Sequence, residues 1–258
     1  MIKFNLQIVG YTVEVSAVQP STKDVCDKFL GAGQPTFSVN VTSKDIDFER
    51  SKVAQEDALE GKPVRALRDE QLEITALQRK IAEKMFDYGT LVFHGSVVAV
   101  DGVAYLFTAK SGTGKSTHTA LWRQVFGSRA VMVNDDKPFL HVGPEGVTAY
   151  GSPWNGKHGL GDNISAPLKA ICILERGEEN VIREIPASEA LFMLLQQSNR
   201  PLDKTKMPVY MELLDGLSRK VRFYRMNCNM DPEAARMSYE AMSGNVKNDT
   251  EREAQYED

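Results

Sequence analysis

The segment that most limits how this chain can fold is residues 106–122, LFTAKSGTGKSTHTALW. An apolar run, residues 103–108, enters it as a strand would. A Gly-rich turn follows, Ser111-Gly112-Thr113-Gly114. Lys115-Ser116-Thr117 then open a segment with Leu121, Trp122, Val125 and Phe126 at helical spacing. Strand, loop and helix in that order are what a phosphate-binding P-loop requires. The loop's backbone N–H groups and the helix N-terminus make a concave anion site. Gly112 and Gly114 let the backbone approach phosphate at torsions that a Cβ resists. On this reading Ser111, Gly112, Thr113, Gly114, Lys115, Ser116 and Thr117 hold a nucleoside triphosphate such as ATP. Lys115 reaches its β- and γ-phosphates, and the Ser116 hydroxyl ligates Mg²⁺. The strict pattern has glycine at position 109, where this chain has Ala109.

Composition narrows the field. A length of 258 residues allows one large domain or two small ones, and 42% hydrophobic residues supply a sizeable core. A net charge of −4 without a Lys/Arg-rich block speaks against nucleic acid or a membrane surface as partner. No apolar run approaches the roughly 20 residues of a membrane span, and Met1-Ile2-Lys3-Phe4 does not lead into a signal peptide. Cys26, Cys172 and Cys228 are few, odd in number and far apart, which favours a reducing cytoplasm. Self-association into a homo-oligomer stays open.

In chain order, Phe4, Leu6 and Ile8, a turn near Gly10, and Tyr11, Val13 and Val15 predict a strand pair. Ser21 to Asp24 reads as a helix start, with Val25, Phe29 and Leu30 on its apolar side. Phe37, Val39 and Val41 predict a further strand. Residues 44–65 are charged and weakly patterned, and read as short edge strands or a loop. Residues 69–88 form a clear amphipathic helix ended by Gly89. The expected division is a small α+β module over 1–88, a P-loop domain over 89–243 and a disordered acidic tail over 244–258.

Around the P-loop, Asp101-Gly102 between apolar runs is a hairpin signal, so the P-loop strand gains an antiparallel neighbour. The apolar run 130–133, which reads as a buried strand, ends at Asn134-Asp135-Asp136, where carboxylates suit a Walker-B-type metal ligand. Both aspartates can reach one site only if the strand breaks there. A hairpin over 139–150 leads to a second Gly-rich stretch, 151–161, in which Lys157 and His158 mark an acceptor-facing loop. Strand 168–175 is expected to pair back with 181–185. Helices follow at 188–197, with Leu191, Leu194 and Leu195 as core, and at 207–217 and 231–242, with a strand between at 220–226.

These motifs together resemble the C-terminal catalytic domain of HPr kinase/phosphorylase, within the phosphoenolpyruvate-carboxykinase-like P-loop superfamily. The resemblance covers roughly 91–176. It rests on Phe93-His94-Gly95, Ser111-Gly112-Thr113-Gly114-Lys115-Ser116, Asn134-Asp135-Asp136 and His158-Gly159-Leu160-Gly161. It implies an α/β fold with a mixed α+β sheet, and ATP with Mg²⁺ as cofactors. It further implies Ser116 and Asp136 on the metal, Asp135 as the base that takes an acceptor hydroxyl's proton, and His94 beside Asp135. The acceptor would be a protein, peptide or small metabolite. That family has arginine where this chain has His158. Transfer to a small carboxylate, as in carboxykinases, and nucleotide binding without turnover remain alternatives.

Overall fold

In the computed structural model, which describes residues 1–244, the alternation of Phe4, Leu6 and Ile8 with polar neighbours becomes strand β1 (Ile2–Ile8). It pairs antiparallel with β2 (Tyr11–Ala17). The turn between them has positive φ at both Val9 (53°) and Gly10 (79°), which matches the twist of a two-residue hairpin. Val9 pays for that torsion with its side chain, which is buried in the core beneath the hairpin. Helix α1 (Ser21–Val25) is only five residues long and passes into a 3₁₀ turn (Asp27–Phe29). Phe29 is buried as its pattern suggests, but Val25 and Leu30 are exposed and Cys26 takes the inward place. Strand β3 (Phe37–Asn40) then adds parallel to β2.

The largest departure from the sequence pattern is helix α2 (Ser43–Leu59), which occupies most of the stretch read as edge strands or loop. Its start is fixed by a capping box: Asp45 Oδ2 accepts from the Thr42 N–H at 2.9 Å and the Thr42 hydroxyl at 2.7 Å. It packs on helix α3 (Asp69–Met85) through charge, not through an apolar stripe. Arg79 of α3 pairs with the buried Glu49, and Lys80 pairs with Asp45 at 2.8 Å. Ile46 is its one fully buried apolar residue. A helix held this way leaves no hydrophobic periodicity to read.

From Gly89, at φ 65°, the chain runs through β4 (Thr90–Val92), β5 (Ser96–Val100) and β6 (Val103–Thr108). Helix α4 (Lys115–Phe126), β7 (Ala130–Asn134), β8 (Phe139–Gly143) and β9 (Gly146–Tyr150) follow. Then come β10 (Ser165–Arg176), β11 (Val181–Ile185), α5 (Ala187–Gln197), α6 (Met207–Lys220), β12 (Arg222–Cys228) and α7 (Glu233–Ser243). Nine strands form one curled mixed sheet. Its centre runs β7-β5-β6-β10-β12-β11, with β6, β10 and β12 parallel and β5 antiparallel to both neighbours. The meander β4-β8-β9 joins through the first three residues of β10.

Strand β11 does not pair back on β10. It pairs with β12, which inserts between them. The burial explains the exchange: Phe223, Tyr224 and Met226 of β12 are buried, whereas β11 is largely exposed and suits an edge. Edge charges are paired, Arg183 with Glu189 at 2.6 Å and Arg222 with Glu184. In α5, Leu194 faces the core and Leu195 packs partly against it, but Leu191 is exposed, contrary to its reading as core.

Helices α4 and α7 cover one face of the central sheet, and α5 and α6 the other. Trp122 of α4 is fully buried against Tyr105 and Phe107 of β6, with ring centroids at 5.0 and 5.1 Å. The helix that begins at Lys115 is thereby fixed to the strand that feeds the loop. Residues 1–88 form their own three-stranded sheet with α3. Their core continues without a break into Val92, Phe139 and Trp154. Among the described residues no helix is long and apolar enough to cross a membrane. Apart from Gly244, the stretch expected as an acidic tail lies outside the described residues.

Candidate functional site

Because β5 runs against β6 and β7, its first residues lie at the edge where β6, β7 and β10 end. The carboxyl edge of an open sheet is where ligands of α/β proteins bind. Here it gathers His94 and Ser96, the 109–116 loop, Asp135 and Asp136, and Arg176. The loop has the torsions that its glycines were expected to supply, φ 78° at Gly112 and 122° at Gly114. Ala109 is not at positive φ, so alanine fits in the place of the pattern's glycine without strain. Its carbonyl lies 3.4 Å from Lys115 Nζ. Lys115 is buried, and burial lowers its pKa against the attraction of Asp136 and Asp135. Ser111, Gly112 and Thr117 are exposed, and Thr113, Gly114 and Ser116 half-buried.

Arg176 is a site residue that the sequence did not reveal. Its guanidinium donates to the carbonyls of Gly112 at 2.6 Å and Thr113 at 3.4 Å, tying the end of β10 to the loop. The signal lay 64 residues past Gly112, in a register that only the β6–β10 pairing sets.

The strand does break after Asn134. Asn134 Oδ1 accepts from the N–H groups of Asp136 at 2.9 Å and Lys137 at 2.7 Å, an Asx-type turn. The two carboxylates then have different surroundings. Asp135 is buried and accepts from the Ser96 hydroxyl at 2.6 Å. Ser96 Oγ lies 2.9 Å from Thr119 Oγ1, which reaches the Ser116 carbonyl at 3.2 Å. Asp135 is therefore tied to the first turn of α4, beside the loop lysine and serine. Asp136 is half-exposed, and His94 Nε2 lies 3.3 Å from its Oδ1. The expected placement of His94 beside Asp135 is thus corrected: the histidine contacts Asp136.

Although that contact has ion-pair distance, the imidazole is neutral. Burial, with Lys137 and Lys115 nearby, lowers its pKa to about 3. The pair is a neutral ring against a carboxyl. Burial raises the Asp136 pKa, against the pull of Lys137 and Lys115. Lys137, also unforeseen, has its pKa lowered mainly by burial.

The second Gly-rich stretch closes over this turn. Asn134 Nδ2 donates to Asn155 Oδ1 at 2.7 Å and to Ser152 Oγ at 3.0 Å, and Asn134 bridges to Gly161. A Cβ on Gly156 would meet the Asp136 Cβ at 3.2 Å, so the loop backbone lies against the half-exposed carboxylate. Lys157 and His158 follow at once on a 3₁₀ turn (Gly156–His158), both exposed. From the other side, Lys28 donates to the Gly161 carbonyl at 3.0 Å.

Among the described residues no three His, Cys, Asp or Glu side chains cluster as a self-sufficient metal site. The donors present, a serine hydroxyl and two carboxylates, suit Mg²⁺, which takes few protein ligands and completes its shell with phosphate and water.

A curled mixed sheet with a Gly-rich loop and two carboxylates at one edge is consistent with an α/β nucleotide-binding fold. The family model for the SynChlorMet cassette protein ScmC matches residues 63–231, and the chain belongs to that family. Among solved structures, the Hpr(Ser) kinase/phosphatase from Coxiella burnetii is similar at 14% identity, with a TM-score of 0.29 over 50% of this chain and 95% of that one. That likeness is too slight to bear on chemistry. No curated protein matches the chain.

Proposed function

We propose that the protein is an ATP- and Mg²⁺-dependent phosphotransferase acting on a hydroxyl of a protein, peptide or small metabolite. One observation carries this reading: a P-loop lysine, a buried aspartate and a second aspartate backed by a histidine meet at one sheet edge. The loop N–H groups and Lys115 bind the phosphates. Ser116 and Asp135 hold Mg²⁺, which supplies charge neutralisation at the transferring phosphoryl group. This assignment moves the metal carboxylate from Asp136 to Asp135, because Asp135 is the one joined through Ser96 and Thr119 to the start of α4. Asp136 takes the acceptor hydroxyl's proton. Its pKa is raised by burial, in the direction that improves a carboxylate as a base. Neutral His94 orients it, and Lys157 and His158 border the acceptor's approach.

The test begins with γ-labelled ATP and cell extract to find the acceptor, then measures ATP affinity and single-turnover transfer. Asp136→Asn is expected to keep ATP affinity and lower transfer about 10²–10⁴-fold, the usual worth of a positioned base. Asp135→Asn is expected to weaken Mg²⁺-dependent binding. The reverse pattern would restore the roles that the family resemblance implies. Label on no molecule would favour nucleotide binding without turnover.

A further inference from the structure

Beside the P-loop lies a cavity of about 530 Å³ that extends past the phosphate-binding residues to the ends of β10 and β12. One wall is Gly112, Thr113, Gly114 and Thr117 with His118 and Leu121 of α4. The other is built where β10 and β12 end, from Arg176, Gly177, Cys228, Asn229 and Met230. Three features set it apart from an ordinary surface cleft. Met230 is 76% exposed, an apolar side chain left in water at the cavity wall. Its backbone is not loose, because the Asn229 N–H donates to Asn180 Oδ1 and the Asp231 N–H to Asn229 Oδ1, at 3.0 and 2.9 Å. And His118, buried in the same wall, has an Nδ1 with no hydrogen-bond partner.

The geometry points to this cavity as the nucleobase subsite, with the base held between Met230 and Leu121 while the phosphates occupy the loop. The inference rests on the nucleotide reading proposed above. The size suits a nucleoside, since ligand pockets run from about 300 to 1,000 Å³. The chemistry suits an aromatic heterocycle, because thioether sulfur and aliphatic carbon pack well on a π-face. Arg176 donates to the carbonyls of Gly112 and Thr113 and so joins the two walls at the loop end. The cavity's side-chain amide is largely committed. Asn229 Nδ2 donates to the Glu178 carbonyl at 2.8 Å, and its Oδ1 accepts from Asn180 Nδ2 at 3.0 Å. That amide offers a base one N–H at most, so the base is held chiefly by its faces and little by its hydrogen-bonding edge, and ATP and GTP bind with similar affinity.

The experiment compares the Mg²⁺ complexes of ATP, GTP and tripolyphosphate on wild type and Met230→Ala by calorimetry. Met230 is exposed, so the variant folds. The expected result is ATP and GTP within about tenfold of each other on wild type. In Met230→Ala both are expected to weaken about three- to tenfold, the worth of one sulfur–aromatic contact, with tripolyphosphate unchanged. Nucleotide affinity unchanged in the variant, or equal weakening of tripolyphosphate, overturns the subsite and leaves the P-loop reading standing. Binding of none of the three to wild type overturns both. A second readout is thiol modification: Cys228 borders the cavity, whereas Cys26 and Cys172 are buried. ATP is expected to slow Cys228 labelling more than tripolyphosphate does, and equal rates would count against the subsite.

Discussion

Ser96→Ala tests the tie between Asp135 and the P-loop helix, a tie invisible in the sequence. Ser96 is fully buried, and its hydroxyl donates to Asp135 at 2.6 Å, a charge-assisted bond. The substitution removes one oxygen and leaves a buried carboxylate short of a donor. A hydrogen bond to a charged group contributes about 1.5–3 kcal/mol. Thr119 keeps its bonds to the Lys115 and Ser116 carbonyls, so the cost is confined to Asp135. For a chain of this size about 2 kcal/mol lowers Tm by about 4–8 °C. The assay is denaturant unfolding of Ser96→Ala, Asp135→Asn and the double variant, followed by ATP affinity with and without Mg²⁺. A coupling energy above about 1 kcal/mol is expected, against the roughly 0.3–0.5 kcal/mol scatter of independent sites. Coupling within that scatter would refute the argument. So would a Ser96→Ala protein as stable as wild type.

Three further outcomes follow from the same geometry. Lys115→Ala is expected to abolish ATP affinity in calorimetry without lowering Tm, because it removes a cation whose burial is already costly; a variant that binds like wild type would sink the P-loop assignment. His94 and His118 have folded pKa values lowered to about 3 and about 4 from 6.5, so the unfolded chain binds the extra protons. Stability is therefore full above pH 6.5 and falls as pH drops toward 4, which urea unfolding from pH 7 to 4.5 would detect and His118→Phe would blunt. Glu73 is fully buried and accepts from the N–H groups of Val18 and Gln19 and the Thr22 hydroxyl at 2.5, 2.8 and 2.6 Å. Glu73→Ala is expected to cost about 3 kcal/mol by leaving one buried and two half-buried donors unpaired, and a loss under about 1 kcal/mol would contradict that account.

Local signals carried most of the chain. Alternation found β1 to β3, the Asp101-Gly102 pair found the β5–β6 hairpin, and the glycines at 112 and 114 placed the loop. What failed needed partners far away in sequence. Helix α2 is held by Arg79 and Lys80 of another helix, so its own residues show no stripe. Strand β12 displaces β11 from β10 because burial, not adjacency, decides the order. At the site, the Asn134-Asp135-Asp136 run was legible as a carboxylate pair. Which aspartate the histidine meets depends on the Asx turn at Asn134. Ser96, Lys137 and Arg176 carried no motif at all; the sheet brings Ser96 and Arg176 to the site, and the Asx turn places Lys137.

The N-terminal residues hold the second Gly-rich loop from behind, and magnitudes decide which contact matters. Lys28 reaches the Gly161 carbonyl at 3.0 Å and Asp162 at 3.8 Å, and Asn163 reaches the Gln7 carbonyl at 3.4 Å. These groups are solvent-exposed, and an exposed ion pair contributes about 0–1 kcal/mol. Trp154, in the same loop, is buried in the core of residues 1–88 and packs edge-on to Phe139 at 5.9 Å. Removing such a ring costs about 3–5 kcal/mol. Its carbonyl also accepts from the Lys137 N–H at 3.2 Å, one residue from Asp136. Trp154→Ala is therefore expected to lower Tm by about 6 °C or more and to lower transfer to the acceptor, with ATP affinity retained in the folded fraction. Lys28→Ala is expected to change neither by more than twofold or about 2 °C. If Lys28→Ala proves the more damaging of the two, the loop is held by its surface charges and not by the apolar seam that joins it to α3 and the first sheet.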